Sequence, residues 1–451
     1  MPRLRCRTAP GIVLGLLVTL SSNAGAQTPL VITLQAALAR AKQYGMQIQS
    51  ANLNVALARE DRVQAKAAGL PSLNAFNQFI YTEGNGTPSG VFVANDGVHV
   101  YNEQAVVHEE VLTLVRRGEI RRAMAAEAVA RAKIEVAQRG LNSTVVQDYY
   151  AILAAQRRFV NAQTSLREAE QFLDITQKQE KGGEVAHADV IKAQITLQQR
   201  QRDLQDAQVN IDKSRIALAV LIFPDFRTDF SVEDDVQQPA LLPPLPEEQA
   251  KATATSPDLQ SARFSLQQAG YEFDIARYGY LPSLSLDFFY GIDANQFAAR
   301  TDHPTEESGR STLPNYQVSN RQNLGYSAQA TLNIPVWNWG ATRSKVKQAE
   351  LKQQQAQLDL TLAQRTLQGN LQLAYSEAQA AQAQLDSLRS SVDLTAESLR
   401  LTLLRYQAGE ANALEVVDAQ TTATQARNAY DDGLVRYRVA IANLQTLTGN
   451  L

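Results

Sequence analysis

Apolar residues recur at steps of four and three along two long stretches of this chain, and at steps of two along several short ones. Leu367, Leu371, Ala374, Ala378, Ala381, Leu385, Leu388 and Val392 trace the seam of a coiled coil, and Tyr430, Leu434, Tyr437, Ile441 and Leu444 continue the same pattern further on. Val145, Tyr149, Ile152, Phe159, Leu166 and Leu173 form a similar, more polar stripe. No proline falls between 89 and 223 or between 336 and 451, whereas 224–257 holds six. Proline breaks helix interiors, so the two proline-free windows are predicted to hold long helices, with the proline-rich stretch as a linker between them. A helix from about 342 to 406 would be roughly 100 Å long at 1.5 Å per residue.

Each window is interrupted once by glycine, at Gly182-Gly183 and at Gly409. Glycine ends a helix by taking the left-handed conformation, so each window is predicted to fold into an antiparallel hairpin. Shorter helices are expected at 34–69 and 247–279.

Strict alternation precedes each long helix. Leu284, Leu286, Phe288, Tyr290 and Ile292 alternate with Ser283, Ser285, Asp287, Phe289 and Gly291. Leu324, Tyr326, Ala328, Ala330, Leu332 and Ile334 alternate with Gly325, Ser327, Gln329, Thr331 and Asn333. Such runs match the ~9–11 residues of a membrane-spanning strand, although a soluble sheet packed on helices would alternate likewise. Long polar, glycine-containing segments at 83–103 and 293–323 favour a barrel with surface loops. The first pair of strands is less regular: Leu73, Phe79 and Tyr81 keep the pattern beside Asn77, but the returning strand carries His108, Glu109 and Glu110. A charge facing lipid at the midplane costs about 2–4 kcal/mol, so these three are expected near the periplasmic rim.

The pattern is duplicated. Gly69-Leu70-Pro71-Ser72-Leu73 returns as Tyr280-Leu281-Pro282-Ser283-Leu284, and Gly183-Glu184 with Ala193-Gln194 returns as Gly409-Glu410 with Ala419-Gln420. The organisation read from this is a first repeat over 27–223 (helix, two strands, long helical hairpin), a linker over 224–257 and a second repeat over 258–451.

Residues 1–26 read as a secretory signal: Arg3, Arg5 and Arg7, then the apolar run from Ile12 to Leu20, then Ala24-Gly25-Ala26. Cys6, the only cysteine, would leave with it, which excludes disulfides and thiol chemistry. The formal charge would move from −3 to −6 with the loss of those three arginines, which argues against nucleic acid as a partner. Histidines at 99, 108, 187 and 303 show no metal-ligand spacing, and no cofactor is implied. Past the signal no apolar run reaches transmembrane-helix length, so any membrane entry must be by strands.

Four strands cannot close a barrel, because the smallest membrane barrels have about eight and an open edge in hydrocarbon leaves backbone groups unpaired. The chain is therefore expected to share a barrel with copies of itself. Two chains would give a filled interior, and three, with about twelve strands, a lumen.

The chain resembles the TolC-like outer-membrane efflux proteins. The resemblance is carried by the two Leu-Pro-Ser-Leu motifs (70–73 and 281–284), Leu332-Asn333-Ile334-Pro335-Val336-Trp337-Asn338-Trp339-Gly340 before a long helix, Arg405-Tyr406-Gln407-Ala408-Gly409 at a hairpin tip, and Val417-Asp418-Ala419-Gln420 after it. It implies a mixed α and transmembrane β fold in which a homotrimer forms a twelve-stranded outer-membrane barrel continued by a periplasmic α-helical barrel. The linker and chain ends would form an equatorial belt. It also implies the exit duct of a tripartite efflux or type I secretion system for small molecules or polypeptides, with a periplasmic adaptor protein and an inner-membrane transporter as partners and no catalysis.

Carried over residue by residue, the resemblance implies a periplasmic gate of Glu415 and Asp418 as an acidic ring and of Tyr406 bonded to Asp189 as a latch. Some relatives reinforce the latch with an arginine two residues after the second tip glycine, where this chain has Ala411. Gly182, Gly183, Gly409 and Glu410 would meet the adaptor. Leu284, Leu286, Phe288, Tyr290, Tyr326 and Leu332 would face outer-membrane lipid. Two rivals stand beside this reading. An enzyme lacks any Ser-His-Asp order, phosphate loop or convergent acid pair here. A periplasmic hairpin adaptor or scaffold would carry one hairpin where this chain has two.

Overall fold

The same order of elements, strand, two helices, two strands, two long helices, occurs twice along the chain. A computed structural model describes residues 30–81, 99–237, 241–292 and 324–450. The expected signal at 1–26 and the expected connections at 83–98 and 293–323 lie outside the described residues. The first run is β1 (Leu30–Ile32), α1 (Leu34–Tyr44), α2 (Met46–Ala67), β2 (Ser72–Tyr81), β3 (His99–Leu112), α3 (Leu114–Gly182) and α4 (His187–Ile222). The second is β4 (Phe230–Val232), α5 (Leu245–Thr255), α6 (Pro257–Tyr278), β5 (Ser283–Ile292), β6 (Leu324–Asn333), α7 (Ala341–Gln407) and α8 (Ala413–Thr448). Lengths agree closely: α3 has 69 residues and α7 67, while α4 and α8 have 36 each.

Four expectations need correction. The helix expected over 34–69 is two helices, broken at Gly45, where the chain passes so close to α3 that an added Cβ would lie 2.6 Å from Leu141 Cδ2. The helix expected over 247–279 is likewise two, because Pro257 cannot donate to the preceding turn and Ser256 Oγ instead accepts from the Leu259 amide at 3.3 Å. The segment 83–103, read as a connection, already contains the first residues of β3 from His99 onward. The proline-rich stretch 224–257 contains β4 and α5.

β2, β3, β5 and β6 form one antiparallel sheet in that order. Beneath it the helices keep the same lateral order: α2 contacts α3, α3 contacts α6, and α6 contacts α7. Toward the hairpin tips α4, α3, α8 and α7 follow one another. One side of the chain is thus β2, α2 and α4, and the other is β6 and α7.

Burial is concentrated at two heights. At mid-height β1 pairs in parallel with β4, and Ile32, Leu141, Tyr149, Ile152, Leu218, Ile222 and Phe230 pack around that pair. The Tyr149 hydroxyl donates to the carbonyls of Ile32 (3.3 Å) and Glu233 (2.8 Å), which ties the two-stranded pair to the middle of α3. Burying these aliphatic and aromatic side chains supplies the local driving force, and the buried hydroxyl needs the partners it has. A matching cluster of Ala252, Leu371, Ala378, Ala381, Tyr437, Ile441 and Leu444 joins α5, α7 and α8. The second height is the tips.

Elsewhere the lateral helices leave apolar residues exposed at steps built from four and seven. Those that follow these steps are Met46, Leu53 and Leu57 on α2, Ile191, Ile195, Val209, Ile216 and Val220 on α4, and Leu351, Leu358, Leu362, Leu373, Leu394 and Leu401 on α7, while Val63 and Leu404 are exposed off the pattern. All three helices lie on the two sides of the chain.

Candidate functional site at the paired hairpin tips

Each hairpin closes through a glycine in the left-handed region. Gly183 (φ 75°) caps α3 and Gly409 (φ 76°) follows α7, and an added Cβ would meet no atom within 4 Å at either, so backbone conformation alone demands glycine there. Gly182, Gly183, Gly409 and Glu410 are all exposed at the tips. Asp189 sits in the first turn of α4, where a carboxylate is favoured by the helix dipole. At the first tip His187 Nδ1 lies 2.6 Å from Glu180 Oε1.

Tyr406 is buried among Phe172, Ala193, Ala413 and Val416, its ring 5.2 Å from that of Phe172. The expected bond to Asp189 is not the one formed. The Tyr406 hydroxyl donates to Thr176 Oγ1 at 3.2 Å, and Thr176 passes its own proton to the Phe172 carbonyl at 2.8 Å. The reason is placement: Thr176 lies one helical turn from Phe172 on the wall that already holds the tyrosine ring, whereas Asp189 is half-buried in the first turn of α4 and acts on the hydroxyl through its charge. Burial pushes the Tyr406 hydroxyl above its ordinary value, the Thr176 bond offsets this in part, and the negative charge of Asp189 adds to the rise. Gln179 Nε2 donates to the Tyr406 carbonyl at 3.3 Å.

The two acidic positions on α8 differ in what they do. Glu415 completes a capping box: its amide donates to Asn412 Oδ1 at 3.0 Å, and its carboxylate accepts from the Asn412 amide at 3.3 Å. Arg405 lies 3.5 Å from the same carboxylate and donates to the Glu410 carbonyl at 3.0 Å. Asp418, one turn on, is exposed, and its carboxylate has no partner among the described residues. Thr176, Arg405 and Asn412 were missed in the sequence. The spacing Asn412-x-x-Glu415 is itself a helix-start signature and marks the cap, but nothing local marks Thr176.

The two hairpins are joined above the tips by polar contacts from α3 to α8. Arg427 Nη2 lies 2.7 Å from Glu168 Oε1, Gln420 Nε2 donates to the Glu168 carbonyl at 3.1 Å, and Ser165 Oγ lies 2.8 Å from Thr424 Oγ1.

In the sheet, Leu284, Leu286, Phe288 and Tyr290 share one face with Leu332 and Tyr326, because Leu284 is opposite Leu332 and Tyr290 is opposite Tyr326. The Phe288 and Tyr326 rings stack at 6.1 Å. Leu286, Phe288 and Tyr290 are exposed while Ser285, Asp287 and Phe289 are half-buried, so this apolar face is the more open one. His108 and Asp287 lie on the opposite face, 2.6 Å apart, and Ser72, the first residue of β2, is opposite His108. His108, Glu109 and Glu110 are therefore at the helix-proximal end of the sheet, where Glu110 meets Arg116 at 2.9 Å. Among the described residues no helix is long and apolar enough to cross a membrane, and no cluster of His, Cys, Asp and Glu could hold a metal ion.

Residues 250–450 match the family model described as outer membrane efflux protein. The pyoverdine export outer membrane protein OpmQ of Pseudomonas putida is 24% identical over 295 residues, covering 64% of this chain and 57% of that protein. Outer membrane protein OprJ of Pseudomonas aeruginosa is 23% identical over 333 residues, covering 71% of this chain and 63% of that protein. The matches thus span about three fifths of these relatives. Among solved structures, the Campylobacter jejuni CmeC outer membrane channel superposes with a TM-score of 0.79 at 17% identity, covering 100% of this chain and 94% of that one. The outer-membrane channel OprN gives 0.78 at 19% identity, covering 93% and 90%. The second half of the chain thus matches the outer membrane efflux protein family, and the fold along the length of the chain is that of solved outer-membrane channels.

Proposed function

We propose that three copies of this chain assemble into one conduit that spans the outer membrane as a twelve-stranded barrel and continues into the periplasm as a tube of long helices. One observation carries this reading: the unpaired strand edges and the unpartnered apolar stripes fall on the same two sides of the chain. β2 and β6 each offer a free edge, and directly below them α2 with α4, and α7, expose their stripes. An open edge in hydrocarbon is costly, and a stripe repeating at coiled-coil steps calls for a helix against it. Rotating one copy so that its β6 and α7 side meets the β2, α2 and α4 side of the next satisfies both, and repetition closes a ring. The near-equal halves support reading each chain as one unit doubled.

The open apolar face bearing Leu284, Leu286, Phe288, Tyr290, Tyr326 and Leu332 then meets lipid, and the face with His108 and Asp287 meets the lumen. Passage is conduction through the tube, with no bond made or broken. The tips are the periplasmic gate, held shut by the Tyr406 cluster and ringed by Asp418 and Glu415. The exposed turns at Gly182, Gly183, Gly409 and Glu410 meet the helical hairpins of an adaptor, which couples the conduit to an inner-membrane transporter in an efflux or type I secretion system.

Ile195→Cys on α4 with Leu401→Cys on α7 tests the assembly. Oxidation should yield covalent trimers on denaturing gels. Dimers alone, or monomers, would reject the ring.

A further inference from the structure

The chain has two tryptophans, and both stand where β6 ends and α7 begins. Trp337 is 76% exposed and Trp339 90%, with ring centroids 5.9 Å apart in an edge-to-face pair. Their indole N–H groups have no partner among the described residues. The turn that carries them is fixed: Trp339 holds a left-handed φ of 55°, Gly340 follows at 83°, and the Asn338 side chain donates to Thr342 Oγ1. A bulky residue in that region is strained, so the fold maintains this presentation against a local cost.

The other strand ends at this level are also apolar and exposed, with Leu70 before β2, Leu114 after β3 and Leu281 before β5. Immediately beyond them the charge turns positive. Arg117 and Arg121 in the first two turns of α3, and Arg343 and Lys345 in the first two of α7, are exposed and have no ion-pair partner among the described residues. The one acid in 114–126 is Glu119, which Arg116 already holds at 3.0 Å, and 341–349 contains none. Apolar strand ends, an indole pair with free donors and a layer of free cations therefore succeed one another along the axis of the molecule. Indoles favour the boundary between acyl chains and headgroups, and Arg and Lys just outside that boundary attract anionic lipids.

We propose that the junction of sheet and helices is a binding collar for anionic phospholipid, in which the Trp337–Trp339 pair seats at the acyl–headgroup boundary and Arg117, Arg121, Arg343 and Lys345 hold headgroup phosphates. The proposal rests on the reading of the sheet as part of a membrane barrel. Phosphate and ester oxygens of such a lipid would accept from the two indole N–H groups.

Because the only two tryptophans lie in the collar, intrinsic fluorescence reports on it alone. The mature protein is reconstituted into vesicles containing phosphatidylglycerol or phosphatidylcholine, each brominated either near the headgroup end of the acyl chain or deep within it. The expected result is stronger quenching by the shallow bromines, at a severalfold lower fraction of phosphatidylglycerol than of phosphatidylcholine. The combined variant Arg117→Gln, Arg121→Gln, Arg343→Gln, Lys345→Gln should lose that preference and keep the shallow quenching. Equal quenching by the two lipids in the unaltered protein overturns the proposal, and that comparison decides even if the variant does not fold. Absence of shallow quenching in vesicles that still conduct overturns the collar and leaves the barrel standing. Failure of the protein to float with the vesicles overturns both.

Discussion

The Tyr406 hydroxyl and Thr176 Oγ1 are 3.2 Å apart, and through that contact the last turn of α7 is held against α3. The two hairpins of one chain are thereby joined at their tips by a buried ring and a neutral hydrogen bond.

Removing only the bond, by Tyr406→Phe or Thr176→Val, should cost about 1 kcal/mol each and not add in the double variant. Removing the ring by Tyr406→Ala should cost about 3–5 kcal/mol, because it leaves a cavity beside Phe172. Resting conductance in planar bilayers should rise strongly for the alanine variant and little for the phenylalanine one. Asp189→Ala should leave it near the wild-type level, and equal leakage from Asp189→Ala and Tyr406→Ala would reject the assignment of the closure to the ring.

Cation preference at the mouth should depend on Asp418 more than on Glu415, since Arg405 lies beside Glu415 and leaves Asp418 uncompensated. Asp418→Asn should lower the cation-to-anion permeability ratio, and Arg405→Gln should raise it by freeing the Glu415 charge. Glu415→Ala should instead weaken the start of α8 by about 0.5–1 kcal/mol, because the Asn412 amide loses its acceptor, whereas Glu415→Gln keeps that half of the cap. Reversal potentials in a salt gradient check the first two, and thermal melting checks the third.

Alkaline stability should be set partly at mid-height. Burial pushes the Tyr150 hydroxyl up to about 12, with Arg438 opposing and Asp235 reinforcing the rise. For an acid with a raised folded value, the neutral form stabilises the fold fully below the unfolded value of about 10, and the contribution fades as pH rises from there to about 12. The loss should amount to about 2–3 kcal/mol and be absent in Tyr150→Phe. Melting temperature from pH 9 to pH 12, read by circular dichroism, would show parallel curves for the two proteins if Tyr150 contributes nothing.

Gly118→Ala should destabilise even though alanine is the better helix former by about 1 kcal/mol. The new Cβ would lie 2.5 Å from Ile275 Cγ1 on α6, and overpacking of that kind costs about 1–3 kcal/mol. Adding Ile275→Ala should recover part of the loss, a coupling visible in a double-mutant cycle of melting temperatures.

The long helices, the hairpin turns and the strands of the second half were legible because each is written locally: a run of seam positions, a left-handed glycine, an alternation of period two. The breaks at Gly45 and Ser256 were harder. Gly45 is demanded by the Ala41 carbonyl and by Leu141, and of these the second lies nearly a hundred positions away, where no periodicity within 34–69 records it. β1 and β4 are three residues each and pair across the length of an entire repeat, too short to carry an alternation of their own. At the tips the residue types were legible and one partner was not. Tyr406 is implied by the family resemblance and by nothing local, and its acceptor is fixed by how α7 lies on α3, a choice made by packing of Phe172 and Val416. Asn412 could have been read directly from its spacing to Glu415.

The parallel pair of β1 and β4 makes a waist, and from Tyr149 at that waist to Gly182 at the tip α3 runs about 50 Å without interruption at 1.5 Å per residue. A rod clamped at one end and held at the other only by the Tyr406 cluster is a lever. A tilt of roughly 3° at the clamp carries its far end about 2.5 Å sideways over that length. On the gating proposed above, a small rocking at the waist should therefore suffice to part the ends once the Tyr406 cluster lets go, with no helix broken.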